Sequence, residues 1–268
     1  MAQILTIIAN NWLTISLFFF LIGQFISSLE LYNNRTLFYT NGLLDLKIVK
    51  LYYPNRLFPS KSLLTFLLIS RIIITLILFV LLICSQQTDL FFNLILILIL
   101  TIDLYINITM PVGKDGSDQM MNIYLTTMVI YLFIAKTSYA IVPLIFITAQ
   151  LCLSYVAAGI SKLVSSTWRN KEILSAIFST ETYGSQNVSK FLKNNVHISL
   201  FASWSIMLWE AFFPIFPFFG STALILSLLI GIMFHLLNYF IMGLNKFFWI
   251  FLACYPIYIY VLKVYHIL

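Results

Sequence analysis

Long apolar runs, separated by shorter polar stretches, extend along almost the whole chain. Eight of these runs have the length of a membrane-crossing helix, which needs about 17 to 25 mostly apolar residues. They are Asn11–Ser28, Leu63–Ser85, Leu90–Met110, Gln119–Ala135, Ala140–Leu163, His197–Phe218, Thr222–Met242 and Phe247–Tyr265. Backbone groups in lipid must bond within their own segment, and the ten-residue alternation of barrel strands is missing, so each run predicts a helix. The pattern therefore predicts an all-α, polytopic transmembrane helical bundle of about eight spans.

Two longer polar stretches, Glu30–Ser62 and Val164–Val196, interrupt the apolar pattern. Each stretch still contains clustered apolar residues of the kind found in helices that lie flat in the membrane interface. These residues are Leu43, Leu44, Leu46, Ile48 and Val49 in the first stretch, and Ile173, Leu174, Ile177 and Phe178 in the second. We therefore expect short interfacial helices in both stretches.

The composition supports a lipid environment. Of the 268 residues, 61% are hydrophobic and 9% are charged, whereas roughly 25% of residues are charged in a soluble domain. This excludes a soluble fold and makes the lipid bilayer the main partner. The net charge of +6 comes from lysines and arginines spread among the loops, which membrane topology explains without nucleic acid. The charge asymmetry predicts a multi-pass membrane protein with the two polar stretches in the cytoplasm and both termini outside.

Charged residues also occur inside the apolar runs, where each costs about 2.5 to 3.5 kcal/mol on insertion scales and needs a partner or a role. Arg71 lies in the second run and Asp103 in the third. The two opposite charges can pair within the bundle, and no further reactive residues surround them in the sequence. We expect a structural ion pair between Arg71 and Asp103.

Lys162 ends the fifth run, in the segment Tyr155–Leu163, and Trp168 follows a few residues later. The small residues around Gly159 allow a neighbouring helix or a ligand to approach the backbone closely. One interpretation is structural: the lysine snorkels to the interface above a packing motif, and Trp168 anchors the interface. The other interpretation is chemical, because a partly desolvated lysine can act as a base.

His235 lies in the seventh run, and Asn238 follows it by one helical turn, so the two side chains share a helix face. The fifth and seventh runs both lead toward the basic face, where Asp118 directly precedes the fourth run. We expect these three side chains to meet Lys162 at one membrane level, where the histidine and the asparagine can orient the lysine or a substrate oxygen. A buried histidine is also a common hydrogen-bonded core residue, and that interpretation stays open.

Glu210 stands in the sixth run, shortly before Pro214 and Pro217. We place it in the opposite half of that run, where it stabilises a helix break or pairs within the bundle rather than joining the Lys162 site. The sequence contains no phosphate-binding loop, no metal-binding histidine motif and no hydrolase nucleophile elbow. No metal site is expected.

The candidate residues and their surroundings resemble the HTTM domain, a membrane domain shared by vitamin K-dependent gamma-carboxylase and many bacterial proteins. The resemblance extends from about residue 12 to 260, which implies that residues 1–268 form a single HTTM-like domain. The matching segments are Ser28–Glu30, Gly42–Leu44, Asp115–Gln119, Tyr155–Leu163 with Trp168, Glu210 with its downstream prolines, and Phe234–Asn238 leading to Met242, Gly243 and Phe247. Among HTTM proteins, the chain is most similar to the short sporulation-delaying protein B-like group.

The resemblance implies roles for individual residues. In the carboxylase the lysine of the matching motif is the base associated with vitamin K oxygenation, which implies Lys162 as the catalytic base with His235 and Asn238 as its catalytic partners. The residues expected to bind substrate or to pack helices are Tyr155, Gly159, Asp118 and Glu210. Two features depart from the carboxylase: Ser161 replaces the first of two adjacent lysines, and the large lumenal part has no counterpart.

The function implied first is participation in the maturation or export of a secreted antimicrobial peptide, with a peptide precursor and a second maturation protein as partners. The alternative is a quinone-dependent carboxylase- or oxidoreductase-like membrane enzyme that uses Lys162 as base. A weaker alternative is a transporter, which needs a polar path across the whole bilayer. The residues do not fix a cofactor, and the resemblance points to a quinone or reduced vitamin K. Whether the protein is an enzyme stays open.

Overall fold

A computed structural model of the chain describes residues 2–40, 45–55, 57–84, 89–110, 114–181 and 184–267. Within these ranges all regular structure is helical, which confirms the predicted all-α class. The α-helices are α1 (Ala2–Asn10), α2 (Trp12–Asn34), α3 (Leu46–Tyr52), α4 (Lys61–Ile83), α5 (Leu90–Thr109), α6 (Gly116–Ile134), α7 (Ile141–Val164), α8 (Ile173–Phe178), α9 (Gln186–Asn194), α10 (Val196–Phe212), α11 (Ser221–Met242) and α12 (Asn245–Val264). Two 3-10 helices, Arg35–Tyr39 and Phe213–Phe219, extend α2 and α10.

Seven of the described helices are long and apolar enough to cross a membrane, which identifies a multi-pass membrane protein. They correspond to α2, α4, α5, α7, α10, α11 and α12, and each coincides with a predicted run. The remaining predicted run, Gln119–Ala135, falls almost entirely within the 19-residue helix α6, which is not among the seven. Its first half carries Asp118, Gln119 and Asn122, and these polar side chains lower its apolar character.

Short helices occupy both polar stretches, as expected. In the first stretch the side chain of Asp45 accepts the Lys47 N–H (2.8 Å) and caps the start of α3; the predicted positions Leu43 and Leu44 lie outside the described residues. In the second stretch α8 and α9 pack together, and the Ser189 hydroxyl of α9 donates to the Ser175 carbonyl of α8 (2.8 Å).

The chain divides into two compact units, one formed by Leu13–Leu144 and the other by Met1–Trp12 with Ile145–Leu268. In the first unit, Nε of Arg71 lies 2.7 Å from Oδ1 of Asp103. The other carboxylate oxygen of Asp103 accepts a hydrogen bond from Nε2 of Gln24 (2.7 Å). All three side chains are buried, so the predicted ion pair between spans is confirmed.

The second unit contains the candidate site. Its helix α12 is buried along most of its length and packs against α1 and α11. Helix α11 is joined to α10 through Trp209, whose ring N–H donates to the carbonyl and the hydroxyl of Ser227 (3.2 and 3.1 Å). Gly243 ends α11 with a left-handed backbone conformation (φ 71°), which glycine adopts without strain, and the chain then enters α12. These contacts pack α10, α11 and α12 together.

Candidate functional site

Helix α7 presents Tyr155, Gly159 and Lys162 on one face, because positions four and seven residues apart align on a helix. Gly159 lies directly against the backbone of α10. A Cβ atom added there would lie 2.8 Å from Cα of Ala211 and 2.9 Å from the carbonyl carbon of Glu210. Because glycine has no side chain, α7 and α10 can approach each other closely at this position. The end of α7 therefore lies beside Glu210.

Lys162 and Glu210 form a two-pronged ion pair. The Lys162 ammonium donates to both carboxylate oxygens of Glu210, at 2.7 and 2.6 Å. The side chain of Glu210 is 3% exposed, whereas that of Lys162 is 17% exposed. Two aromatic rings flank the ammonium, with centroids at 5.1 Å for Trp168 and 5.8 Å for Phe234, within the range of cation–π attraction. Lys162 is thus held by charge and by ring faces instead of extending freely to the interface.

The expectation that Glu210 stays apart from the Lys162 site is wrong. The first turns of α10 pack along the segment that follows α7, where the Ser199 hydroxyl donates to the Lys171 carbonyl (2.8 Å) and the Ser203 hydroxyl to the Trp168 carbonyl (3.1 Å). The first two turns of α10 therefore lie beside the segment after α7 and not beside α7 itself. Glu210 therefore lies level with the end of α7, although the sequence places it late in its own span.

A second polar cluster surrounds Tyr155, which is buried. Its hydroxyl lies 2.8 Å from Nε2 of His235 and 2.6 Å from the hydroxyl of Tyr255. His235 is only 4% exposed. Its ring centroid lies 4.4 Å from that of Phe251 and 5.1 Å from that of Phe234. The tyrosine and histidine thus form a short hydrogen-bonded chain enclosed by aromatic rings.

The two clusters share helices and neighbours. Lys162 and Tyr155 lie on the same face of α7, and Phe234 contacts both the Lys162 ammonium and the ring of the adjacent His235. The structure therefore brings together five of the seven predicted site residues, which are Tyr155, Gly159, Lys162, His235 and Glu210, and it makes Glu210 the counterion of Lys162.

Asn238 is half-buried, one turn beyond His235, and none of the hydrogen bonds among the described residues involves its side chain. Its carbonyl accepts the Leu244 N–H (3.3 Å) at the end of α11. Asp118 belongs to the other unit, where it completes a capping box with Asp115: its carboxylate accepts the Asp115 N–H (3.1 Å), and the Asp115 carboxylate accepts the Asp118 N–H (3.3 Å). Its described role is therefore helix capping, and its expected approach to Lys162 stays a prediction.

Tyr255 is a site residue that the sequence did not reveal. It lies in the middle of an apolar run and is one of 15 tyrosines, so no local signal distinguishes it from an interfacial aromatic residue. Trp209 also lies within an apolar run, and no local sequence signal distinguishes it. Its ring packs on that of Tyr155, with the centroids 4.9 Å apart. The useful signal was indirect: a hydroxyl buried in the centre of a span needs a hydrogen-bond partner on another helix.

Comparison with known proteins adds no assignment: no family model matches the chain, no curated protein matches it, and no solved structure matches it.

Proposed function

We propose that this chain is an HTTM-type protein of the bacterial plasma membrane that takes part in maturing or exporting a secreted antimicrobial peptide. Its partners in this proposal are the peptide precursor and a second maturation protein. One observation supports it above all: Lys162, Trp168, Glu210 and Phe234 belong to three separate segments that carry the HTTM resemblance, and these four residues lie together in the fold. Lys162 binds Glu210 and stands against the rings of Trp168 and Phe234.

The Lys162–Glu210 pair supports proton-transfer chemistry in particular. Transfer of one proton from Nζ of Lys162 to a carboxylate oxygen of Glu210 gives a free amine and a carboxylic acid. The net charge of the pair does not change, so the step requires no additional counterion in a region of low dielectric. The free amine is then a base, and the protonated Glu210 holds the proton close to it. Lys162 thus keeps the role of base in this proposal, with Glu210 as its proton acceptor.

The experiment compares the producing bacterium with a strain in which this gene is deleted. We expect the deletion strain to accumulate precursor and to lack mature peptide, and the Lys162→Ala variant to do the same. The matched control is Lys193→Ala, because Lys193 is an exposed lysine on α9. Equal amounts of mature peptide in the deletion strain and the parent would refute the proposal.

A quinone-dependent membrane enzyme is the second candidate, and the aromatic surroundings of the site favour it. Ring faces of Trp168 and Phe234 flank the Lys162 ammonium, and Nδ1 of the buried His235 has no hydrogen-bond partner among the described residues. A cation and a nitrogen between aromatic rings fit the carbonyl oxygens and the flat ring of a quinone. When bound, such a group would supply two-electron redox chemistry. Lys162 and His235 would hold its oxygens, and the surrounding rings would exclude water.

This second candidate predicts that the protein purified from native membranes carries a quinone in stoichiometric amount. Lys162→Ala should remove most of it, whereas Lys193→Ala should not. Extraction followed by chromatography measures the bound quinone. Wild-type protein without quinone would eliminate this candidate and leave the peptide-maturation proposal intact.

A further inference from the structure

The hydrogen-bonded chain between Tyr255, Tyr155 and His235 has only two possible directions. A phenol has one hydrogen to donate, and a neutral imidazole donates from one nitrogen and accepts at the other. Tyr155 stands between the other two groups, at 2.6 Å from the Tyr255 hydroxyl and 2.8 Å from Nε2 of His235. It accepts from one neighbour and donates to the other, because accepting from both would leave its own buried hydrogen without a partner.

The two directions leave different atoms without partners. If Tyr255 donates to Tyr155 and Tyr155 donates to Nε2, both phenol hydrogens and the Nε2 lone pair are satisfied. Only Nδ1, which then carries a hydrogen, has no partner among the described residues. In the opposite direction, both the Tyr255 hydrogen and the Nδ1 lone pair lack partners. All three side chains are buried, so the direction that leaves fewer polar atoms unpaired is favoured.

We infer that Tyr255 and Tyr155 hold His235 in the tautomer protonated at Nδ1 and present this N–H to a hydrogen-bond acceptor of the ligand. Tyr155 and Tyr255 are positioning residues in this assignment, since they act on the ligand through the histidine. A buried N–H without a partner is rare in a folded protein. A ligand oxygen at this nitrogen would satisfy it.

The surroundings indicate the chemical class of the ligand. His235 lies among the rings of Phe234, Phe247 and Phe251, and the nearby Lys162–Glu210 pair is neutral as a whole. A charged ligand group would lose its hydration there without a counterion. The acceptor is therefore a neutral carbonyl oxygen on a largely apolar molecule or segment. This step rests on the proposed function, because it takes the site to be one that binds a substrate.

Gly231 leaves space for the first member of the chain. It lies one turn before His235 on α11, and a Cβ atom added there would collide with the Tyr255 hydroxyl and lie 3.0 Å from Cζ2 of Trp209. Gly231→Ala should push the Tyr255 hydroxyl away from Tyr155. The glycine thus contributes to the position of the hydrogen-bonded chain without contributing a polar atom.

Nitrogen-15 NMR of the histidine rings tests the tautomer directly. The protein has three histidines, and His197 and His266 are exposed, so the variant His197→Gln/His266→Asn isolates the signal of His235. We expect Nε2 to show the shift of an unprotonated nitrogen and Nδ1 that of a protonated one. A protonated Nε2 would overturn the inference.

Two further variants test the role of the tyrosines. Tyr155→Phe removes the donor to Nε2 and should move the Nε2 signal toward that of a protonated nitrogen. Tyr255→Phe removes the donor to Tyr155 and should move the Nε2 signal in the same direction by a smaller amount, because Tyr155 is then free to accept from Nε2. Tyr239→Phe, on the same helix as His235 but outside the hydrogen-bonded chain, serves as the matched control. An unchanged Nε2 signal in Tyr155→Phe would show that Tyr155 does not position the histidine.

Substitution of His235 tests the ligand-facing nitrogen. The asparagine amide N–H₂ occupies nearly the position of Nδ1, whereas the glutamine amide reaches the position of Nε2. We expect His235→Asn to retain most of the mature peptide and His235→Gln to lower it on the order of tenfold or more. Equal losses in both variants would refute the assignment of Nδ1 as the ligand donor. The proposed function fails separately, if gene deletion leaves the peptide unchanged while the NMR result stands.

Discussion

Replacing the two members of the Lys162–Glu210 pair, singly and together, gives the sharpest prediction for the site. Lys162→Met removes the cation and leaves the Glu210 carboxylate, whose side chain is 3% exposed, without a partner. Loss of one partner from a buried ion pair costs about 3 to 5 kcal/mol. Glu210→Leu leaves a lysine that is 17% exposed and can turn toward the interface, so its cost should be lower, about 1 to 3 kcal/mol.

The double variant Lys162→Met/Glu210→Leu replaces the pair by apolar side chains of similar size. Such replacements are often neutral in buried sites, so we expect a net change within about 1 kcal/mol. The single losses therefore should not add, and the coupling between the two positions should reach about 3 kcal/mol or more. Unfolding of the purified protein in detergent, followed by the loss of helical circular dichroism, measures all three values.

The same double variant separates structure from chemistry. If the pair serves packing alone, the double variant should fold and still produce mature peptide. We expect a folded protein without activity, because neither methionine nor leucine can take or release a proton. Single losses that sum to the double loss would contradict the close contact between the two side chains. A stable, fully active double variant would refute the proton-transfer role.

Three further predictions concern the helix contacts. Arg71→Met should destabilise the protein by about 3 to 5 kcal/mol, and adding Asp103→Leu should recover most of this loss, as thermal unfolding would show. Gly159→Ala should lower the free energy of unfolding by about 1 to 3 kcal/mol, because the added Cβ would meet the α10 backbone. Ser161→Ala is the control: Ser161 is exposed on the same helix, and its replacement should change the stability by less than about 0.5 kcal/mol. Tyr124→Phe removes the 2.6 Å hydrogen bond to the buried Ser16 and should cost about 1 kcal/mol. A neutral Gly159→Ala variant would contradict the close approach of α7 and α10.

Much of the fold follows from the apolar pattern alone, because the bilayer imposes a helix of fixed length on every apolar run. The pairing of Arg71 with Asp103 was equally predictable, since two opposite charges in neighbouring spans have few other partners. Helix α6 shows the limit of the pattern. The predicted run does form a helix, but the first half of this helix carries a capping box and polar side chains. These polar residues lower the hydropathy of the segment without shortening the helix.

The partner of Lys162 could not be predicted, because the sequence does not record how far one helix is displaced along another. Glu210 comes late in its span, and the apolar pattern places that position far from the end of α7. The displacement comes from hydrogen bonds between α10 and the segment after α7, such as that from Ser203 to Trp168. Serine side chains in the first turns of a helix that donate to loop carbonyls form no recognisable sequence motif. The contact at Gly159 was visible as a small-residue pattern, but its partner helix was not.

The two buried ion pairs differ in what they can do, although both join neighbouring spans. A guanidinium remains protonated in proteins, so the Arg71–Asp103 pair cannot deliver a proton without leaving an isolated charge in the interior. A lysine ammonium can release its proton, and the adjacent Glu210 can receive it at 2.6 to 2.7 Å without a change in net charge. Exchange of the two cations tests this difference. Lys162→Arg should preserve the ion pair and the stability while abolishing peptide maturation, whereas Arg71→Lys should leave maturation intact if the protein folds. Full activity of Lys162→Arg would mean that charge alone, and not an exchangeable proton, is required at this position.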